Sequence, residues 1–107
     1  MRPFSQLSDL LEHRRRGGKP YYEFLRVPAM SAGVYVLAAG ATDPQRPHQQ
    51  DEMYYVVSGR ARMQAGTEDQ AVEQGSVIFL PAEVEHRFYD ITEELVVLVF
   101  FAPAETE

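Results

Sequence analysis

Three side chains able to bind a metal fall in two short segments of matching design. In Pro47-His48-Gln49-Gln50-Asp51-Glu52-Met53-Tyr54-Tyr55-Val56-Val57-Ser58-Gly59, a polar turn carrying a histidine runs into an apolar stretch that ends on glycine. Gly75-Ser76-Val77-Ile78-Phe79-Leu80-Pro81-Ala82-Glu83-Val84-Glu85-His86 follows the same plan in reverse. Folded together, the two segments can bring His48, Glu52 and His86 to one point. Two neutral imidazoles and one carboxylate suit a divalent transition metal such as iron, manganese, nickel, cobalt or zinc. Three protein ligands leave positions on the ion open to a small molecule or to dioxygen. The sequence has no cysteine, so any metal must take nitrogen and oxygen ligands.

Strand side chains alternate faces. If Glu52 points inward, so does Tyr54; if His86 points inward, so do Phe88 and Asp90. Tyr54 and Asp90 are therefore candidates to move a proton. Arg46, at the rim, can hold an anionic ligand in a two-pronged pair. Gln50 and Phe88 are candidate substrate contacts. Each has a plainer reading: His48 and His86 as buried core histidines, Glu52 as a turn acid, Gln50 as a loop residue, Tyr54 and Phe88 as packing, Arg46 as a surface cation. His13 has no companion at metal spacing and reads as a solvated helix residue.

One helix and a series of strands must position these groups. Residues 5–16 read as the helix, with Leu7, Leu10 and Leu11 on one face, Ser5 or Ser8 as its cap and Gly17-Gly18 as its stop. The basic run Arg14-Arg15-Arg16 suits a helix C-terminus. About eight short strands follow, over 21–27, 33–39, 53–57, 60–65, 70–73, 77–80, 86–90 and 95–101. Gly59 is read as a turn, and Gly66-Thr67-Glu68-Asp69 as a hairpin. Residues 41–47 hold two prolines and cannot form a central strand. The tail from Ala102 reads as frayed. Such spacing is that of an all-β sandwich or barrel. Residues 53–57 and 95–101 are apolar on both faces, so something must cover the outside. The helix can cover part, and a second copy of the chain the rest, which predicts a homodimer.

The chain of 107 residues fits one domain, with the helix and arm at 1–19 and the barrel at 20–107. A net charge of -6 argues against nucleic acid as a partner. No apolar run approaches the ~20 residues of a membrane span. The lack of cysteine and of an apolar leader agrees with a cytoplasmic location.

The motifs resemble those of the cupin superfamily in its small single-domain form. Gly40 precedes the loop, His48 stands four residues before Glu52, and Gly59 follows Glu52 after six. In the second motif, Gly75, Pro81 and His86 keep the family spacing, while Glu83 replaces a glycine and Asp90 an asparagine. Arg46 stands where the first histidine of the family's histidine-x-histidine pair is expected, and a guanidinium does not ligate metal. The resemblance implies a double-stranded β-helix, or jelly roll, enclosing a metal held by His48, Glu52 and His86. It implies a metal-dependent enzyme, a dioxygenase, isomerase or lyase, acting on a small molecule. The alternatives are a non-catalytic ligand-binding or sensor module and a barrel that has lost its metal.

Overall fold

The computed structural model describes residues 3–106. Its elements are α1 (Leu7–Gly17), β1 (Tyr21–Val27), β2 (Met30–Leu37), β3 (Asp51–Ala65), β4 (Glu68–Glu73), β5 (Val77–Leu80) and β6 (His86–Ala102). All neighbouring strands pair antiparallel, in the order β1-β2-β6-β3-β4, with β5 on β3. The sheet rolls around one core built from Tyr35, Leu37, Tyr54, Val56, Met63, Leu80, Phe88 and the inward residues of β6.

Among the described residues six strands stand where eight were expected, because two expected breaks are bulges inside long strands. Within β3, Gly59 is not a turn. It has φ +99°, and a Cβ there would collide with the Glu94 carbonyl of β6. The β3–β6 register slips between Val56 and Arg62, leaving extra residues on both strands. An extra residue reverses the alternation of faces. Inward residues of β3 therefore change from Glu52, Tyr54 and Val56 to Ala61 and Met63. Those of β6 change from His86 and Phe88 to Ile91, Leu95, Val97, Val99 and Phe101.

The helix is shorter than expected, and neither Ser5 nor Ser8 caps it: the cap residue is Gln6, with no side-chain hydrogen bond. Gly18 ends it in the left-handed conformation, donating its N–H to the carbonyls of Arg14 and Arg15. The helix packs on β1 and β2, with His13 stacked on Tyr22 at 5.8 Å. It leaves the outward row Met53, Tyr55, Val77 and Phe79 exposed on β3 and β5, where Met53 lies opposite Phe79 and Tyr55 opposite Val77.

The tail is not frayed over its described length. Glu105 N–H donates to Ser31 Oγ (2.9 Å), Arg26 Nη2 to the Glu105 carbonyl (2.8 Å), and Gln50 Nε2 to Thr106 Oγ1 (2.8 Å). The turn before β6 is tied to the loop before β3: Glu83 N–H donates to the His48 carbonyl at 2.6 Å and Ala82 N–H to Asp51 Oδ1 at 2.9 Å. Glu83 holds φ +67° in the place where the motif has glycine. A side chain there costs about 1–2 kcal/mol, against about 0.5–1 kcal/mol of chain entropy for glycine. Glu83→Gly is expected to stabilise the fold by about 0.5–1 kcal/mol, raising the melting temperature by a few degrees. An unchanged or lowered melting temperature would show that the Glu83 side chain contributes more than its backbone strain costs.

Candidate metal centre

His48 comes from the loop before β3, Glu52 from the start of β3 and His86 from the start of β6. The first ties between these elements are backbone ones. Glu52 lies opposite Phe101 on one side and Leu80 on the other, and the turn 81–85 is stapled to His48. One donor atom from each of the three side chains lies within 4.8 Å of the others. His86 Nε2 is 3.2 Å from Glu52 Oε1, and His48 Nε2 is 4.0 Å from the same oxygen. Donors held about 2.1 Å from one ion stand about 3–4 Å apart, so the set is close to a ligand cage.

Protonation makes the case sharper. His86 Nδ1 lies 2.9 Å from the Val84 carbonyl, which can only accept, so Nδ1 carries a proton. In the neutral ring Nε2 then presents a lone pair. It faces Glu52 Oε1 and, at 3.1 Å, Gln45 Oε1. Glu52 Oε1 is buried and receives no well-formed hydrogen bond. Such a pile-up of buried acceptors needs a cation among them, a proton or a metal. Burial works against a charge on His86, but the approach of the Glu52 carboxylate, 3.2 Å away, and the hydrogen bond to the Val84 carbonyl outweigh it and raise its pKa above the ordinary 6.5. Burial also lowers the pKa of His48, and here the Glu52 charge does not compensate. The outer nitrogen of His48 faces the Glu105 carboxylate at 3.3 Å, which fixes the orientation of the imidazole ring.

The residues around His48, Glu52 and His86 differ from expectation. Tyr54 is at the site: its hydroxyl donates to Gln45 Oε1 at 2.8 Å. Burial, followed by the Glu52 charge, pushes its pKa well above normal, so it serves as a fixed donor. Asp90 is not at the site. It lies in the β6 bulge with φ +51°, exposed beside Arg60, because the parity reversal turns it outward and Ile91 inward. Phe88 is fully buried against Tyr54, ring centroids 5.1 Å apart, and is core packing rather than cavity lining. Gln50 is buried and latches the tail through Thr106. Arg46 is exposed and outside the cavity lining.

Sequence reasoning missed Asp43, Gln45, Tyr21 and Glu105. Asp43 is buried and accepts from Tyr35 Oη (2.6 Å), Gln45 Nε2 (2.7 Å) and the Phe88 N–H (2.8 Å). A polar loop between prolines is ordinarily a surface connection, so nothing in its composition placed it inside. Among the described residues the buried Tyr21 hydroxyl has no hydrogen-bond partner, and its ring lies where a side chain at Gly33 would be. That glycine, opposite β1, was the one available signal. A cavity of about 190 Å³ adjoins these three side chains, lined by Tyr21, Tyr35, Pro44, Gln45, His48, Glu52, Tyr54, Val99, Phe101 and Glu105.

In the metal-free protein, imidazole Cε1 proton shifts followed against pH should show His86 titrating above 6.5 and His48 below it. A metal must displace the proton on His86 Nε2, so loading weakens as pH falls through the His86 value. His86 titrating below 6.5 would mean that Glu52 does not hold a cation against it.

Comparisons with known proteins bear on the fold and the family. A family profile described as "Cupin domain" matches residues 33–101. An uncharacterised protein of Streptomyces coelicolor, SCO3923, is 48% identical over 101 residues, covering 94% of this chain and 96% of that protein. The crystal structure of TT1209 from Thermus thermophilus superposes with a TM-score of 0.74 at 21% identity, over 96% of this chain and 99% of that one. That of the DMSP lyase DddQ from Ruegeria pomeroyi superposes with a TM-score of 0.69 at 18% identity, over 78% of this chain and 47% of that one. With a matching profile, a rolled antiparallel sheet and the motif histidines and glutamate gathered at one end of it, the chain belongs to the cupin family.

Proposed function

We propose that the protein is a small metal-dependent enzyme that acts on a compact, uncharged molecule at a centre held by His48, Glu52 and His86. The observation that carries this reading is the buried, unsatisfied Glu52 Oε1 facing two histidine nitrogens. A bound divalent ion would supply Lewis acidity or oxygen activation. The protein supplies the rest. Val99, Phe101 and Tyr35 offer an apolar wall, and the unpartnered Tyr21 hydroxyl offers a hydrogen bond to a ligand oxygen. Glu105, a carboxylate in the cavity wall, takes over the proton-moving role expected of Asp90. The cavity is smaller than the ~300 Å³ lower range of drug-sized sites. Among the described residues no lysine or arginine lines it, while Glu52 and Glu105 do, which favours a neutral substrate over the anionic one suggested by Arg46.

A non-catalytic binding module is the second reading. It is favoured by Tyr54, whose phenol is tied to Gln45 and stays protonated, as in a rigid receptor. A cytoplasmic location suits either reading, since the chain carries no cysteine.

The test begins with loading by iron, manganese, nickel, cobalt or zinc at neutral pH. About one ion per chain is expected, with His86→Ala and Glu52→Ala each weakening binding by more than about 100-fold, beyond the loss typical of outer-shell changes. The loaded protein is then offered small neutral substrates, with oxygen uptake and bond cleavage followed. Wild-type protein that retains no ion removes the reading, and a stoichiometric ion with ligand binding but no turnover selects the binding module.

We also propose that a second copy covers the outward face of β3 and β5, where Val77 is 63% and Phe79 58% exposed. Phe79→Glu is expected to convert a dimer into a folded monomer in light scattering coupled to size exclusion. A wild-type monomer at micromolar concentration would refute this.

A further inference from the structure

We infer that the amide oxygen of Gln45 is a fourth protein ligand of the metal centre, taking from position 45 the place left without a histidine at Arg46. The inference rests on the metal-binding reading and extends it.

The orientation of the amide is set from behind. Asp43 is buried, and its Oδ2 accepts from Gln45 Nε2 at 2.7 Å. A carboxylate accepts only, so the amide nitrogen must face Asp43 and the oxygen must face the site. Asp43 is itself fixed by the Tyr35 hydroxyl and the Phe88 N–H. Gln45 Oε1 has two lone pairs. One accepts from the Tyr54 hydroxyl at 2.8 Å. The other is left for the side of His86 Nε2, 3.1 Å away. With Nδ1 donating to Val84, that nitrogen also presents a lone pair when the ring is neutral. An oxygen and a nitrogen that both present lone pairs at this spacing are arranged as neighbouring donors on one ion.

The chemistry of the contact supports the assignment. A hydrogen bond from the amide N–H₂ to a carboxylate enriches the amide oxygen in electron density, as outer-shell partners do for other ligands. The Gln45 oxygen lies against both the cavity and the ligand group, lining the former with His48 and Glu52. Arg46, the next residue, turns to solvent, and so the chain delivers its polar side chain one position earlier than the motif expects.

Cobalt(II) is the probe. Crystals of the cobalt-loaded protein should place Gln45 Oε1 about 2.1 Å from the ion. In solution, Gln45→Ala should weaken cobalt binding by at least about 10–100-fold and change the visible absorption, while Arg46→Ala leaves both unchanged. Thermal melts of all variants verify folding. A Gln45 Oε1 more than about 3 Å from bound cobalt, or wild-type affinity and spectrum in Gln45→Ala, overturns the inference and leaves the three-ligand centre intact. Folded wild-type protein that binds no cobalt overturns both.

Discussion

Glu52 sits where a carboxylate has no business being unless something positive is beside it. It is 2% exposed, in a rolled sheet whose inner surface is mostly hydrocarbon and aromatic. The groups around it are imidazole nitrogens, an amide oxygen and a protonated phenol. Removing such a charge from water costs several kcal/mol unless it is paired. The surrounding structure is consistent with that demand. The turn before β6 is stapled to the His48 backbone, the Val84 carbonyl sets the His86 tautomer, and Glu105 steadies the far side of His48. Each contact aims a donor atom at the same small volume.

The two long strands make this possible by changing face midway. Over 52–56 and 86–88 the even-numbered residues point inward, and beyond the bulges the odd-numbered ones do. One half of each strand can thus contribute polar ligands at one end of the roll while the other half fills the core. Without the reversal, the run 95–101 would present Val96, Leu98 and Phe100 to the interior in place of Leu95, Val97, Val99 and Phe101. The site and the core are aligned by an irregularity rather than by regular pleating.

Much of this was readable in the chain. The positions of glycine and proline bounded most strands, and the two motifs brought His48, Glu52 and His86 forward as a group. Local pattern failed where a bulge intervened. Gly59 has the composition of a turn, and nothing in 86–101 marks the extra residues that send Asp90 outside. It failed again where loop residues enter the interior. Asp43 and Gln45 flank Pro44 in a segment of surface composition, and their inward placement depends on partners in β2, β3 and β6 that are remote in sequence. Glu105 escaped notice for the same reason: its partners, Arg26, Ser31 and His48, lie more than fifty residues upstream.

The segment 103–106 has a consequence for kinetics. It contributes a wall of the cavity and an outer partner of one histidine, yet it belongs to no strand and is tied down by polar contacts with Arg26, Ser31 and Gln50. Contacts of that kind break and re-form at far lower free energy than a packed sheet opens. On the metal-binding reading proposed above, an ion or ligand would exchange when this short strap peels back, on a timescale set apart from the lifetime of the barrel as a whole.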